Sequence, residues 1–122
     1  MLVVDESGLG AAAAILDQLA DHGRPLVQVI AETSDAHHTV DLTTWDGVSV
    51  RWVFRNGAAA GTGTALLDAV RDIDLDIDTT YAFGAAESRR ITEVRKHLRH
   101  DAGMPAERVS MTGYWRRGLA DT

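Results

Sequence analysis

The stretch "LVVDESGLGAAAAILDQLADHG", residues 2–23, decides the fold of this chain. Its first three residues are apolar, which is typical of a short buried strand. The segment Leu9–Gly23 contains a run of four alanines followed by apolar residues at helical spacing, which predicts a helix. Ser7 is the expected N-cap of this helix, and Gly23 is its expected stop. The stretch therefore predicts a strand, a turn and a helix, which is the opening unit of an α/β domain.

The same alternation continues to the end of the chain. Four more strands are predicted by short apolar segments, at Pro25–Glu32, Val48–Arg55, Thr79–Ala86 and Glu107–Trp115. Two more helices are predicted between the later strands, at Thr64–Ile73 and Glu87–Gly103. Apolar strands that alternate with helices form parallel sheets with right-handed crossovers. The sequence therefore predicts an α/β domain with a five-stranded parallel sheet flanked by helices.

Length and composition narrow the class of protein. The 122 residues suit one domain, residues 1–122, and 45% of them are hydrophobic. The absence of cysteine excludes a disulfide framework and a thiolate metal site. No apolar run approaches the roughly 18 residues of a membrane helix, and the first residues do not resemble a signal peptide. We expect a soluble cytoplasmic domain without membrane insertion.

The net charge of −6 is unevenly distributed. Residues 1–86 hold 4 basic and 13 acidic side chains, whereas residues 87–118 hold 8 basic and 4 acidic ones. A mostly acidic domain argues against nucleic-acid binding, which requires a broad basic surface. The basic third attracts a small anion or is simply a solvated helix face, and the sequence leaves both interpretations open.

Several catalytic and metal-binding patterns are incomplete. The acidic segment Asp72–Asp78 lacks the glycine and the glutamate of a calcium loop in either frame. His37 and His38 are adjacent and have no third ligand nearby, and no serine has the context of a hydrolase nucleophile. "GTGTAL" (Gly61–Leu66) matches a phosphate-binding loop only in part and follows the third strand, so it indicates a flexible loop. We therefore predict no metal site and no catalytic side chain.

The residues at the strand ends indicate where a ligand binds. Parallel sheets of this kind bind ligands beyond the carboxyl ends of their strands. The polar or small residues predicted at these ends are Asp5, Glu32, Arg55, Gly84–Glu87 and Tyr114–Arg116. We expect them to line one edge of the sheet.

The first strand-to-helix turn, "VVDESGLGAA", permits two interpretations. The N-terminus of a helix offers free N–H groups and a partial positive charge to a phosphate, and Ser7 and Gly8 permit close approach. Asp5 and Glu6, however, place negative charge where a pyrophosphate would approach. The turn is either a phosphate site or an acidic N-cap region.

Five motifs resemble one known family, the siderophore-interacting proteins. They are "VDESGLGA" (Val4–Ala11), "AAE" (Ala85–Glu87), "RKHL" (Arg95–Leu98), "GMPAER" (Gly103–Arg108) and "TGYWRRG" (Thr112–Gly118). The resemblance covers nearly the whole chain, and the closing motif is its most specific part. The sequence departs from the family pattern at Val4 and Ala86, where the family has glycine, and at Gly10, where it has proline.

Members of this family are FAD-dependent ferric-siderophore reductases with a fold similar to ferredoxin–NADP reductase. The resemblance implies a sheet of order 3-2-1-4-5 and identifies the chain as similar to the C-terminal NAD(P)H-binding domain. That domain presents the hydride of NADPH or NADH to FAD, which reduces Fe(III) to Fe(II) and releases iron from the siderophore. In the family FAD is held mainly by a β-barrel domain that this chain lacks. The implied partners are this barrel, in cis or in trans, and a ferric siderophore.

The resemblance also implies roles for single residues. The residues implied to flank the nicotinamide and pyrophosphate are Asp5, Glu6, Ser7, Gly8, Ala85, Ala86 and Glu87. Arg55 would meet the 2′-phosphate of NADPH, Tyr114 or Trp115 would pack beside the flavin, and Arg116 would face an anionic siderophore.

Two alternatives remain open at this point. The terminal aromatic residues either serve a flavin site or pack onto their own domain, and in the absence of a barrel we expect them to be partly exposed. The chain as a whole is either the nucleotide-binding part of a reductase or a non-catalytic binding or interaction domain that retains the fold without cofactors. The sequence does not show whether the chain is a fragment of a longer protein or a stand-alone protein.

Overall fold

The computed structural model describes residues 1–118 and contains one five-stranded sheet. Its strands are β1 (Leu2–Val4), β2 (Val27–Thr33), β3 (Val48–Phe54), β4 (Ala82–Glu87) and β5 (Val109–Trp115). All neighbouring strands are parallel, and their order is β3-β2-β1-β4-β5. The predicted fold class and strand order are therefore confirmed.

Three α-helices connect the strands. They are α1 (Leu9–Asp21), α2 (Ala65–Arg71) and α3 (Ser88–Lys96), and α3 continues into a π-helical turn at His97–Asp101. Short 3₁₀ turns lie at Glu6–Gly8, Ala36–His38 and Ala106–Arg108. Within residues 1–118, no helix has both the length and the apolar character needed to cross a membrane.

β1 lies in the middle of the sheet and divides the core into two layers. Because side chains alternate along a strand, Val3 faces one layer while Leu2 and Val4 face the other. Val3 packs with the apolar residues of α2 and α3, and Leu2 and Val4 pack with Ala12 and Leu16 of α1. All three residues of β1 are buried, as expected for a central strand covered on both faces.

The start of α1 differs from the sequence prediction. Ser7 is not its N-cap: Asp5 caps the 3₁₀ turn by accepting a hydrogen bond from the Ser7 N–H, and Gly8 is the N-cap of α1. The aspartate lies two residues nearer to the strand, so its carboxylate captures the first free amide and a tight turn precedes the helix. The predicted stop is confirmed, because α1 ends at Asp21 and Gly23 has the left-handed φ of 94°.

Other element ends shift by a few residues. The helix predicted over Glu87–Gly103 is α-helical only to Lys96, and Glu87 is its N-cap. Its last turn widens into the π-helical turn before Gly103, whose φ is 81°. β2 begins two residues later than predicted because Pro25 and Leu26 precede the ladder.

Gly8 allows the first turn to lie directly against β4. A Cβ atom at this position would lie 2.3 Å from the carbonyl oxygen of Ala85 and 2.9 Å from a methyl group of Val4. The backbone oxygen cannot move without disturbing the sheet. Gly10 is two residues further along, and a Cβ atom there would meet nothing within 4 Å.

We predict opposite effects for two glycine-to-alanine substitutions. Gly8→Ala should lower the free energy of unfolding by about 1–3 kcal/mol, because it overpacks the contact with β4. Gly10→Ala should raise it by about 0.5–1 kcal/mol, because alanine favours the helix. Urea unfolding of both variants measures the difference, and equal stabilities would contradict the close contact.

Candidate functional site at the carboxyl edge of the sheet

The five strands end at one edge of the sheet, which we call the carboxyl edge. It comprises the residues at or just after the strand ends: Asp5, Thr33, Arg55, Glu87 and Trp115. The 3₁₀ turn Glu6–Gly8 belongs to it because it contacts β2, β4 and β5. The sheet therefore brings together most of the residues that the sequence singled out.

Asp5 is the centre of this edge. Its residue exposure is 4%, so its carboxylate is buried. One oxygen, Oδ1, accepts hydrogen bonds from the N–H of Ser7 at 2.9 Å and from the Ser7 hydroxyl. The other, Oδ2, accepts the N–H of Glu87 at 3.0 Å and the indole N–H of Trp115 at 3.0 Å. A single carboxylate thus joins the first turn, the end of β4 and the end of β5.

The amides of the first turn are bonded within the turn. The Ser7 N–H donates to the Asp5 carboxylate, and the Gly8 N–H donates to the Asp5 carbonyl at 3.1 Å. The Leu9 N–H donates to the carbonyl of Glu6. These three amides are therefore already paired within the chain, an arrangement typical of an acidic cap.

Glu87 fills the N-terminus of α3. The residue is buried, and its carboxylate accepts the N–H of Arg89 at 2.9 and 3.1 Å and the N–H of Arg90 at 3.4 Å. Free amides at a helix N-terminus are a common anion site. Here the chain supplies the anion itself, and Ala85 and Ala86, which precede Glu87, have fully buried methyl groups in the two core layers.

Arg55 is held between two glutamates. Its Nη1 donates to Glu6 Oε2 at 3.0 Å and to Glu32 Oε1 at 3.2 Å, and its Nη2 donates to the other oxygen of Glu6. Its side chain is only 8% exposed. The hydrogen bonds that Arg55 donates to the Glu6 carboxylate raise the pKa of Arg55. Burial raises the pKa of Glu32, because the loss of water around its carboxylate outweighs the attraction of Arg55.

A β-bulge at Tyr114 gives the two terminal aromatic residues, Tyr114 and Trp115, different environments. Ala86 pairs with Gly113 and Glu87 pairs with Trp115, so Tyr114 has no partner in β4. A bulge of this kind redirects the side chains that follow it. Trp115 is consequently level with Glu87 and reaches Asp5, whereas Tyr114 remains 47% exposed.

The residues after the bulge lie beside α3. The Ser88 hydroxyl donates to the carbonyl of Trp115 at 3.0 Å, which fixes the end of β5 against the start of α3. Arg116 is exposed and lines a shallow concavity with Arg89 and Lys96. This part of the surface is cationic, in contrast to the acidic first turn.

The loop after β3 covers part of the edge, a feature that the sequence did not predict. A Cβ atom on Gly61 would lie 2.9 Å from both the Glu87 Cγ and the Trp115 Cη2 atoms, and its φ is 77°. The Arg90 Nη1 donates to the carbonyl of Gly63 at 2.9 Å and ties the loop to α3. From the sequence, the glycines of this loop indicated only flexibility. The structure gives a reason for Gly61, because its backbone lies directly against the side chains of Glu87 and Trp115.

Of the predicted site residues, the structure brings seven into one connected network: Asp5, Glu6, Ser7, Gly8, Arg55, Glu87 and Trp115. Tyr114 and Arg116 lie next to this network but are exposed. The sequence placed Glu32 at this edge without a contact role, and it did not single out Gly61 as a site residue. Both pack directly against members of the network. Within residues 1–118, no group of three or more acidic or histidine side chains is arranged to hold a metal ion.

A parallel sheet of order β3-β2-β1-β4-β5, with the candidate site residues at its carboxyl edge, defines the class of α/β domains with an open parallel sheet. The family model described as siderophore-interacting protein matches residues 1–118. The chain therefore belongs to the siderophore-interacting protein family.

Individual proteins are similar to this chain over nearly its whole length. An uncharacterized protein of Mycobacterium tuberculosis is 31% identical over 132 residues, covering 99% of this chain and 45% of that protein. The crystal structure of a siderophore utilization protein from T. fusca superposes with a TM-score of 0.85 at 28% identity, covering 99% of this chain and 46% of the other. The siderophore-interacting protein of Acinetobacter baumannii shares the fold, with a TM-score of 0.83 at 19% identity, 98% of this chain and 46% of the other. The chain thus spans less than half the length of these relatives.

We predict that Asp5→Asn destabilises the domain. An asparagine keeps one accepting oxygen but turns an NH₂ group toward two of the four donors, and each buried donor left unpaired costs about 1–3 kcal/mol. The free energy of unfolding should fall by at least about 2 kcal/mol in urea titration. The exposed Asp41→Asn is the control and should change it by less than about 0.5 kcal/mol. Similar values for the two variants would show that Asp5 does not hold the edge together.

Proposed function

We propose that this chain is the nucleotide-binding domain of a flavin-dependent ferric-siderophore reductase that works in the cytoplasm. The observation that carries the proposal is the contact between Asp5 in the first turn and Trp115 in the closing motif. Two motifs 110 residues apart in sequence meet at the edge where sheets of this class bind ligands. The family match over residues 1–118 supports the same conclusion.

The partner domain is part of this proposal. The relatives are about twice as long as this chain, and their remaining half has room for a second domain. We propose that a flavin-binding barrel, in cis or in trans, holds FAD beside the carboxyl edge. When bound there, the nicotinamide and the flavin supply hydride transfer and single-electron reduction of Fe(III), and this chain positions them.

The residues of this chain then have distinct roles. Glu6 and the turn that follows it border the nucleotide, and the exposed ring of Tyr114 offers an apolar face for a planar ring system. Trp115 has a structural role: its hydrogen bond to Asp5 holds the end of β5 in register with Glu87. Arg116, with Arg89 and Lys96 beside it, attracts an anionic ferric siderophore.

One observation favours the second candidate, a non-catalytic binding or interaction domain. Three groups that could receive a phosphate are already bonded within the chain: the first-turn amides, Arg55 and the N-terminus of α3. An edge filled in this way binds a dinucleotide weakly on its own. For the isolated chain we expect dissociation constants of about the millimolar level.

Titration of the ¹⁵N-labelled chain with NADH, followed by NMR chemical shifts, tests the proposal. The shifts should cluster at the carboxyl edge, including residues 6–8 and Tyr114, and should saturate in the millimolar range. Tyr114→Ala should weaken binding several-fold, because it removes a stacking face worth about 1 kcal/mol.

Tyr81→Ala is the matched control. Tyr81 is the other tyrosine of the chain, is 70% exposed and lies before β4 at the opposite end of the sheet. Its removal should leave binding unchanged. Shifts that are absent at millimolar NADH, or that are equally reduced by both substitutions, would contradict nucleotide binding at this edge and favour the non-catalytic domain.

A further inference from the structure

The arrangement of Glu6, Arg55 and Glu32 carries an inference about the nucleotide, and it rests on the proposed function. A free arginine at the end of β3 would be a natural receptor for the 2′-phosphate of NADPH. Arg55 is not free, because Glu6 occupies both ends of its guanidinium fork and Glu32 accepts a further hydrogen bond.

Displacement of Glu6 by a phosphate would be unfavourable for two reasons. The phosphate would approach an edge that carries the carboxylates of Glu6, Glu32 and Asp5, and like charges repel at short range. Glu32 is 5% exposed and depends on Arg55 as its charge partner, so competition for that partner weakens the compensation of a buried charge.

A ribose hydroxyl, unlike a phosphate, is attracted by a carboxylate, because it carries no charge and can donate a hydrogen bond. In dinucleotide-binding sheets, an acidic residue near the end of the second strand accepts a hydrogen bond from the 2′-hydroxyl of NAD, whereas an arginine nearby accommodates the 2′-phosphate of NADP. Glu32 lies at this position, one residue before the end of β2, but it is buried. Glu6 shares its arginine, and its side chain is 39% exposed, so its oxygens are accessible to a ligand.

We infer that Glu6 is a specificity-determining residue: held by Arg55, its carboxylate accepts a ribose hydroxyl and repels a 2′-phosphate, so that the carboxyl edge takes NADH in preference to NADPH. Arg55 orients the Glu6 carboxylate through its hydrogen bonds, and the buried Glu32 carboxylate in turn positions Arg55. This replaces the sequence-based expectation that Arg55 would itself bind the 2′-phosphate.

The test compares NADH and NADPH on the complete 122-residue chain by the same NMR titration. The wild type should bind NADH at least about tenfold more tightly than NADPH, a difference of about 1.4 kcal/mol. Glu6→Gln keeps the size of the side chain and removes its charge, so it should shift this ratio at least fivefold toward NADPH. Glu107→Gln removes the same charge from an exposed turn before β5, far from the carboxyl edge, and should leave the ratio unchanged.

The outcomes separate this inference from the proposed function. Equal or tighter binding of NADPH by the wild type would overturn the inference while leaving nucleotide binding intact. The same holds if NADH is preferred but Glu6→Gln and Glu107→Gln change the ratio equally. Failure of both nucleotides to shift the spectrum would overturn the proposed function and this inference together. Equal or tighter binding of NADPH by the wild type overturns the inference even if Glu6→Gln does not fold.

Discussion

The carboxylate of Asp5 is the interaction on which the rest of the carboxyl edge depends. It is buried at the end of the central strand and accepts hydrogen bonds from the first turn, from the start of α3 and from the last residue of β5. A buried carboxylate is tolerated only when such donors replace its water. The position of the first turn, of Glu87 and of Trp115 is therefore set by one side chain.

The same chemistry determines what the edge is able to bind. Glu87 satisfies the amides of α3, and Glu6 and Glu32 satisfy Arg55, so several groups that attract phosphates in related folds are neutralised within the chain. The groups that remain accessible include the Glu6 carboxylate, a tyrosine ring and the cationic surface beside α3. Under the proposed function, this division favours a ligand that contributes hydroxyls and a planar ring to the edge, and an anion beside Arg116.

Much of the fold and most residues of the carboxyl edge were predictable from local sequence, whereas the pairing of those residues with one another was not. The alternation of apolar strands and helices predicted the parallel sheet, and family motifs predicted its order, because both signals are carried by short segments. The bulge at Tyr114 is different, since it depends on the register between β4 and β5. The sequence could therefore not decide whether Tyr114 or Trp115 turns inward. The pairing of Arg55 with Glu6 joins residues 49 positions apart, and no local pattern marks it.

Hydrogen exchange of the Trp115 indole proton tests the central role of Asp5 most directly. Trp115 lies at the end of an edge strand, where a tail without a partner would fray. The account predicts that this proton and the Glu87 amide proton exchange at least about 100-fold more slowly than in an unfolded chain, since both are bonded to one buried oxygen. Exchange of the indole proton at the unfolded rate, in a chain whose β1 amides are protected, would contradict the account.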